Sequence, residues 1–260
     1  MSVMMQHNGR CNRTTAHPPH LMVELASGPE DIRASQALRY RIFAQEQGAT
    51  LENAEQSLDC DYYDDYCHHL LVREVNSGEV VGSTRILTMD DARRAGSFYS
   101  ENEFNLRKLF PLPGNPIEIG RTCIHPAFRN GTGIGMLWAG LAQFVEFQRA
   151  DFLFGCASIS MNDGGAQAAA IMQVARQRYL SPEHLRVQPL VHLLQTTPAA
   201  KIDMPPLLKA YLKLGAWIAG EPCLDPDFNV ADVFILLDMN RLDRRYHRHF
   251  VQSGLQQQAA

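Results

Sequence analysis

The spacing of apolar and polar residues along the chain predicts a mixture of strands and helices. Apolar runs bounded by turn residues predict strands in "LMVELA", "HLLVREV", "EVVGSTRILT", "FLFGCASI" and "ADVFILLDM". Helical spacing predicts helices from about Gly133 to Arg149 and in "GGAQAAAIMQVARQRYL" and "PPLLKAYLKLGAWIA". Because a hairpin is mixed with helical crossovers, the order favours an α+β fold, a mixed α/β sandwich.

A first helix is predicted by its end signals in "SGPEDIRASQALRYRIFAQEQG". Ser27 and Glu30 have the spacing of a capping box, and Pro29 suits the first helical turn. Gly48 suits the end of the helix. We therefore expect a helix between Ser27 and Gly48.

The ends of the chain differ from its middle. The first residues are polar and rich in proline, which predicts a mobile arm over residues 1–20. We expect a single domain over 21–250, without an internal linker, and a mobile C-terminal tail over 251–260. No apolar run approaches the roughly 20 residues of a membrane-spanning helix, and the start of the chain lacks the apolar segment of a secretory signal.

Composition excludes several functional classes. The chain has 260 residues and is 45% hydrophobic, enough for a buried core. Its formal net charge of −4 gives no general basic field, so no nucleic-acid partner is expected. The six scattered cysteines predict reduced thiols in the cytoplasm. The spacing of Cys60, Cys67, His68 and His69 fits no zinc pattern, so no metal is expected.

A glycine-rich loop, "RNGTGIG", joins the predicted strand "PIEIGRTCI" to a helix. Backbone N–H groups at a glycine-rich helix start form an anion site. The loop lacks the last glycine of a dinucleotide fingerprint and the Lys-Ser/Thr pair of a Walker loop. A phosphate site and a purely structural glycine turn both remain open on spacing alone.

The segment "IHPAFRNGTGIGMLWAGL" resembles the acyl-carrier loop of the GNAT-like N-acyltransferases. This resemblance implies that the loop holds the phosphate end of a phosphopantetheine arm. Asn130 occupies a position where that superfamily usually has Gln or Arg, which favours acyl carrier protein over coenzyme A as the donor. The residues expected to bind the arm are Ile124, His125, Arg129, Asn130, Gly131, Gly133 and Gly135.

The resemblance widens upstream of this loop. The segments "LRYRIF", "DCDYYDDYCHHLLV", "GEVVGSTRIL" and "EIGRTCIHP" follow the order seen in acyl-homoserine lactone synthases. The match implies catalytic and substrate-binding roles for a set of residues in these segments. They are Arg39, Phe43, Asp61, Asp64, Arg85, Glu118 and Arg121.

The C-terminal half instead resembles the L-ornithine Nα-acyltransferases. The similarity lies in "FGCASI", "LSPEHLRV" and the long block "PPLLKAYLKLGAWIAGEPCLDPDFNVADVFILLDMNRLDRRYHRHF", and it runs from about Leu21 to Phe250. It implies transfer of a 3-hydroxyacyl group from acyl carrier protein to the α-amine of L-ornithine, the first step of ornithine lipid synthesis. It also implies a central, mostly antiparallel twisted sheet flanked by helices, and no permanently bound cofactor.

Three alternatives remain open for the function. An autoinducer synthase would use S-adenosylmethionine as the acceptor. A related acyltransferase would acylate another amino acid, such as glycine or lysine. A protein of this fold that binds an acyl carrier without catalysis is the third, and the presence of Glu118, Arg121 and the acidic pair argues against it.

Glu118 is the candidate general base. Aminolysis of a thioester needs a neutral amine, and an amino acid carries mostly an ammonium group at pH 7. Apolar neighbours on the strand favour a raised pKa for Glu118. The alternative is that Glu118 pairs with Arg121, although residues three apart point to opposite faces of a regular strand.

The acidic loop "DCDYYDD" is the candidate acceptor site. Asp61 or Asp64 would attract the ammonium groups of ornithine, while solvated acids or helix caps are the alternative. Arg39 and Arg85 would either clamp a carboxylate or order these acids. A buried ion pair is the competing interpretation for Arg39.

An acidic carrier protein would need a local basic patch on a chain of net negative charge. The candidates for that patch are Arg129, Arg107, Lys108 and, near the C-terminus, Arg241, Arg244, Arg245 and Arg248. The C-terminal cluster suits either carrier-protein docking or contact with anionic lipid. We therefore expect a cytoplasmic protein, with peripheral contact at the inner face of the cytoplasmic membrane as a further expectation.

Overall fold

The computed structural model of the protein describes residues 20–109 and 112–242. The strands in these ranges are β1 (Leu21–Leu25), β2 (His68–Glu74), β3 (Val80–Thr88), β4 (Phe104–Asn105), β5 (Pro116–Ile124), β6 (Phe152–Ser160), β7 (Gln188–Pro189), β8 (Trp217–Ile218), β9 (Cys223–Asp225) and β10 (Val230–Asp238). The α-helices are α1 (Pro29–Tyr40), α2 (Met89–Ala95), α3 (Thr132–Gln148), α4 (Ala166–Arg178) and α5 (Pro206–Lys213).

One large sheet organises the fold. Its strand order is β1-β2-β3-β5-β6-β10-β8, and β9 pairs with the other end of β10. The pairs are antiparallel except for β5 with β6, which is parallel. Strands β4 and β7 form a separate short pair. The predicted α+β class and the mostly antiparallel sheet are therefore confirmed.

The two faces of the sheet bury different clusters of apolar side chains. Leu70 and Val72 of β2 face the cluster that includes α3, α4 and α5, whereas Leu71 between them faces α1. In β10, Val233 contributes to the first cluster and Phe234 to a cluster with the 98–109 segment. Successive side chains of a strand point to opposite faces, so apolar runs without alternation became strands covered on both sides.

Strands β5 and β6 separate partway along their length. Their parallel pairing covers three residue pairs, from Pro116 with Phe152 to Glu118 with Phe154, although each strand is nine residues long. At the point of separation Gly155 has φ +157°, and a Cβ there would lie 2.1 Å from the carbonyl oxygen of Ile119. Glycine is thus required for the close approach at which the gap begins.

The predicted capping box at the start of α1 is wrong. Its N-cap residue is Gly28, which is extended, and the helix begins with Pro29 as expected. The Ser27 amide and hydroxyl donate to the Asp31 carboxylate at 2.9 and 2.8 Å, so Ser27 does not pair with Glu30 as a capping box. A π-helical turn, Arg41–Glu46, continues α1 to just before Gly48.

The predicted helix "PPLLKAYLKLGAWIA" is correct only in its first half. Helix α5 ends at Lys213, and Gly215 at φ +93° turns the chain. Trp217 and Ile218 then pair with β10 at the edge of the sheet. Trp217 and Ile218 form a strand because the edge of β10 supplies backbone hydrogen-bond partners. The helical spacing of apolar residues in the sequence could not indicate those partners.

The predicted terminal segments lie almost wholly outside the described residues, which begin at His20 and end at Leu242. The predicted division into an arm, a domain and a tail therefore stays a prediction. The five cysteines in the described ranges are free thiols. Within those same ranges, no helix combines the length and the apolar character needed to cross a membrane.

Replacing Gly155 by alanine is expected to destabilise the protein by about 2 kcal/mol or more, because the new Cβ would overlap the Ile119 carbonyl. Gly120→Ala is the matched control on β5, since a Cβ at Gly120 has no neighbour within 4 Å. Urea unfolding of both variants measures the difference. Equal stabilities for the two variants would contradict the proposed close approach.

Candidate active site

A cavity of about 270 Å³ lies where β5 leaves β6. Glu118 and Arg121 of β5 line it together with Arg85 of β3. Tyr99 and Ser100, from the turn after α2, close one side of the cavity. The predicted catalytic pair of Glu118 and Arg121 and the predicted binding residue Arg85 are thus brought to one place.

Glu118 is buried, at 3% exposure, and it is held by hydrogen bonds from the turn beside it. The backbone N–H groups of Tyr99 and Ser100 donate to its two carboxylate oxygens at 2.7 Å, and the Ser100 hydroxyl donates as well. Burial raises the pKa of Glu118, although these hydrogen bonds oppose the rise. Within the described residues, the hydrogen-bond partners of this carboxylate thus come from the turn rather than from Arg121.

Arg121 lies in an irregular part of β5. The register with β3 shifts between Ser83 and Arg85, and Arg121 has φ +49°, a conformation unfavourable for a residue other than glycine. Its guanidinium carbon lies 4.8 Å from the ring centre of Tyr99 and 4.6 Å from that of Phe228. The bulge and the two rings aim a fixed positive charge at the cavity.

Arg39 and Arg85 hold the acidic loop through buried ion pairs. Arg39, at 0% exposure, contacts Asp59 at 3.0 Å and Asp64 at 2.8 Å. Arg85 contacts Asp61 at 2.5 Å and Asp64 at 2.9 Å. Burial alone would raise the pKa of Asp64, but the hydrogen bonds and charges of both arginines hold that pKa below its ordinary value.

The acidic loop contains a short, regular turn. Asp61 caps the short 3-10 turn Tyr62–Asp65, accepting from the Tyr63 N–H at 2.9 Å. Asp64 accepts from the Asp61 N–H at 3.2 Å, which completes a capping box. Arg121 lies 3.3 Å from Asp59 and 3.5 Å from Asp61. Asp59, Asp61 and Asp64 of this loop are therefore each paired with at least one arginine.

A second group of acids lines the same cavity, and the sequence reasoning missed it. Carboxylate oxygens of Glu103, Asp225 and Asp232 lie within 4.8 Å of one another. Burial and the neighbouring carboxylates raise the pKa of Glu103, and burial raises the pKa of Asp232 to about 6. One signal was available: Asp232 is an acid within the apolar strand "ADVFILLDM".

The glycine-rich loop borders a second, larger groove of about 960 Å³. Five of the predicted arm-binding residues line it: Ile124, Arg129, Asn130, Gly131 and Gly135. Gly131 is the N-cap of α3 at φ +100°. Gly133 lies beneath the loop, where a Cβ would come within 2.9 Å of the Phe128 carbonyl oxygen. His125 accepts a hydrogen bond from the Ala127 N–H at 3.3 Å instead of lining the groove.

The side chain of Arg129 is already engaged at the rim of the groove. Its guanidinium binds both carboxylate oxygens of Glu46, at 2.5 and 2.8 Å, and donates to the Ile124 carbonyl at 2.9 Å. An anion in the groove would therefore be bound by backbone N–H groups at the start of α3, of which the Thr132 N–H already donates to Oδ1 of Asn130 at 3.2 Å.

The groove and the cavity meet. Phe43, Gln47, Thr122 and Leu207 line both of them. Phe43, a predicted substrate-binding residue, packs edge-to-face on Phe228 at 5.9 Å. A long ligand in the groove can therefore place its end beside a small molecule in the cavity.

Replacing Arg39 by glutamine is expected to destabilise the protein by about 3–5 kcal/mol, because Asp59 and Asp64 would stay buried without a full counter-charge. Arg41→Gln is the matched control on the same continuous helix, since its ion pair with Glu79 is exposed and worth less than about 1 kcal/mol. Denaturant unfolding checks both values. A loss below 1 kcal/mol for Arg39→Gln would mean that the buried network does not stabilise the fold.

Solved structures show the same fold. A coenzyme-A-dependent acyl-homoserine lactone synthase, BjaI, solved with SAM and isopentyl-CoA, aligns over 91% of this chain and 89% of its own with a TM-score of 0.53 and 15% identity. The acyl-homoserine lactone synthase LasI aligns over 90% of this chain and 96% of its own, with a TM-score of 0.50 and 13% identity. These similarities, at low identity, support the fold alone.

Sequence comparison gives the family. A family profile described as "Acetyltransferase (GNAT) domain" matches residues 38–139. The L-ornithine N(alpha)-acyltransferase of Rhodobacter capsulatus is 34% identical, covering 90% of this chain and 96% of the relative. The corresponding protein of Brucella abortus is 32% identical, covering 88% of each chain. The chain therefore belongs to the L-ornithine N(alpha)-acyltransferase family of N-acyltransferases, as the resemblance in its C-terminal half predicted.

Proposed function

We propose that this enzyme transfers a 3-hydroxyacyl group from acyl carrier protein to the α-amine of L-ornithine, giving lyso-ornithine lipid in the first step of ornithine lipid synthesis. The observation that supports this most is that the larger groove, which we call the donor groove, meets the cavity lined by Glu118 and Arg121, which we call the charged cavity. The two meet at Phe43 and Thr122. Relatives named for ornithine Nα-acylation support the choice of acceptor. Direct transfer needs both substrates to meet in this way.

Glu118 takes the proton of the acceptor amine. A carboxylate has about four lone-pair positions, and the turn at Tyr99 and Ser100 occupies three of them. One position is left on the oxygen that Tyr99 contacts, facing either the amine or a water that relays the proton. The raised pKa of Glu118 makes it a better base than an exposed glutamate.

Arg121 binds the carboxylate of the acceptor. It lines the cavity, and its position between Tyr99 and Phe228 fixes the direction of the guanidinium. A fixed, always charged guanidinium suits a carboxylate better than a flexible ammonium group does. Bound there, the acceptor would present its α-amine toward Glu118, three residues away on β5.

The reaction then needs no covalent enzyme intermediate. The amine nitrogen attacks the thioester carbonyl, the new C–N bond forms, and the C–S bond breaks. The amine proton passes to Glu118 and from there to the leaving phosphopantetheine thiolate. Burial raises the pKa of the Cys123 thiol to about 12, so little nucleophilic thiolate is present at neutral pH.

The donor arm lies in the larger groove. Its phosphodiester approaches the backbone N–H groups at the start of α3, near Asn130, Gly131 and Gly135. The remaining predicted residues Ile124, His125, Arg129 and Gly133 shape this loop. Apolar side chains further along the groove accept the pantetheine and acyl chain; they include Ile42, Ile134, Met136, Trp138, Leu207 and Leu214.

Arg39, Asp61, Asp64 and Arg85 position this machinery. Because Arg39 and Arg85 are paired with aspartates, their role in this proposal is to order the acidic loop instead of clamping a substrate. Asp61 also lies beside Arg121 and limits where its guanidinium can point. In this proposal the loop fixes the arginine that binds the acceptor, and the substrate's ammonium group needs another partner.

Docking of an acidic carrier protein uses exposed cations on the surface of the enzyme. Arg107 and Lys108 are exposed, and the guanidinium of Arg241 stacks 3.8 Å from the ring centre of Trp217. Arg244, Arg245 and Arg248 lie outside the described residues. A cytoplasmic location, with peripheral contact at the inner membrane surface, fits a carrier-protein substrate and a lipid product.

The acceptor is tested with purified enzyme, 3-hydroxyacyl carrier protein and a panel of amines: ornithine, lysine, glycine and S-adenosylmethionine. We expect acyl-ornithine by mass spectrometry, at a rate at least about tenfold above the other amines. An acyl-homoserine lactone from S-adenosylmethionine would instead identify an autoinducer synthase. Product from another amine alone would keep the reaction and change the substrate, and no product with any amine would favour a binding protein.

Glu118→Gln is expected to lower kcat by about 10²-fold or more, because the amide cannot accept the amine proton. The amide keeps the size of the side chain, and thermal unfolding checks that the variant folds. Glu30→Gln, an exposed substitution on α1, is the control and should keep full activity. An unchanged kcat in Glu118→Gln would remove Glu118 from the proton transfer.

A further inference from the structure

The wall of the acceptor cavity contains two chemically different groups of charged residues. In the first group, Arg85 and Arg121 lie against the aspartates of the ordered loop. The second group is Glu103, Asp225 and Asp232, which come from three separate parts of the chain. Unlike the loop aspartates, this second group has no ion pair with an arginine or lysine in the described residues.

We propose that Glu103, Asp225 and Asp232 bind the side-chain ammonium group of a diamino acid acceptor and thereby select it over amino acids with apolar side chains. This inference rests on the proposed function, because it concerns the same acceptor cavity. It replaces the acidic loop, predicted from the sequence, as the partner of that ammonium group.

The strongest support is an unpaired carboxylate oxygen. Glu103 is 8% exposed, and its Oε2 atom is buried without a hydrogen-bond partner among the described residues. A buried acceptor without a partner costs free energy, on the order of 1–3 kcal/mol. Such an atom in the wall of a substrate cavity indicates a donor that arrives with the ligand.

The other two acids are oriented so that each retains accepting capacity. Ser158 on β6 donates to Oδ1 of Asp232 at 2.7 Å. The backbone N–H groups of Asp227 and Phe228 donate to Oδ1 of Asp225 at 2.9 and 3.2 Å. Asp232 also hydrogen-bonds with the Glu103 carboxyl group, a contact that an ammonium group would replace by donating to both. An ammonium group has three N–H donors, which matches three carboxylates whose oxygens lie within 4.8 Å of one another.

The electrostatics favour a cation beside these acids. Burial and the charge of Asp232 raise the pKa of Glu103, and burial raises the pKa of Asp232 to about 6. These shifts mean that the neutral, protonated form of Glu103 is favoured in the free protein, because the charge of Arg121 offsets burial only in part. A bound ammonium group would supply the missing positive charge, in surroundings where a charge-assisted hydrogen bond is strong.

The acids are connected to the proposed base through Ser100 and Cys156. The Ser100 hydroxyl contacts the Glu118 carboxylate and also lies 3.5 Å from the Cys156 sulfur. Cys156 in turn hydrogen-bonds with Glu103. One layer of side chains thus separates the base from the acidic group, and the three-methylene side chain of ornithine would span that layer while its α-amine faces Glu118.

The test compares ornithine with norvaline, which has the same carbon chain without the terminal amine. For the wild-type enzyme we expect kcat/KM to favour ornithine by about 10²-fold or more. In Glu103→Gln, KM for ornithine should rise at least about tenfold while the constants for norvaline stay within about twofold. Asp227→Asn, an exposed acid on the same turn as Asp225, is the control and should behave as wild type.

Asp232→Asn is the second variant, for use if Glu103→Gln fails to fold. Isothermal titration of ornithine and norvaline onto each protein supplies a readout that does not need turnover. Ornithine binding that depends on Glu103 or Asp232, without acyl transfer, would support this inference and overturn the proposed function. Acyl transfer to ornithine with no dependence on these acids would overturn this inference alone.

A divalent cation is the other ligand that three carboxylates suit. Treatment of the wild-type enzyme with EDTA, followed by Mg²⁺ or Mn²⁺, separates the two cases. Activity that survives EDTA and is not raised by either ion supports the ammonium site. If wild-type activity is lost with EDTA and restored by the metal, and the activity of Asp232→Asn does not respond to the metal, the acids hold a metal ion. That result would overturn the proposal.

Discussion

The separation of β5 from β6 is the constraint on which the site depends. The two strands pair in parallel up to Glu118, and the contact of Gly155 with the Ile119 carbonyl sets the point at which they part. Parting leaves Glu118 and the following residues of β5 beside a gap instead of a neighbouring strand. Both the charged cavity and its junction with the donor groove are formed along this edge.

Charge is distributed unevenly around that gap. The loop aspartates are matched with arginines, so the network is a rigid and nearly neutral support. Removing one partner of a buried pair is costly, which makes such a network effective at fixing geometry. Glu103, Asp225 and Asp232 have no ion pair with an arginine or lysine in the described part of the chain, and burial raises the pKa values of Glu103 and Asp232.

The residues of the candidate site could be predicted from the sequence only in part. Glu118, Arg121 and Arg85 were found because they lie in segments that resemble known synthases, and the sheet brings them together. Glu103 and Asp225 were not found, since each lies in an unremarkable polar stretch and only pairing of β9 with β10 brings Asp225 to Asp232. The arginine partners of Asp61 and Asp64 lie far away in the sequence, so these ion pairs could not be predicted from it, and the binding role of the two aspartates stays a prediction.

The sequence by itself determined the local elements and the family. Period-two and period-3.6 spacing located most strands and helices, and the glycine loop with the C-terminal block predicted an acyltransferase of this family, because these signals are local and survive without tertiary contacts. Tertiary structure alone decided where α5 ends, the bulge at Arg121 and the arginine–aspartate pairing. It also decided that Glu103, Asp225 and Asp232 lie together in the cavity wall. Each of these depends on which distant residues become neighbours and are removed from water together, and neither spacing nor composition contains that information.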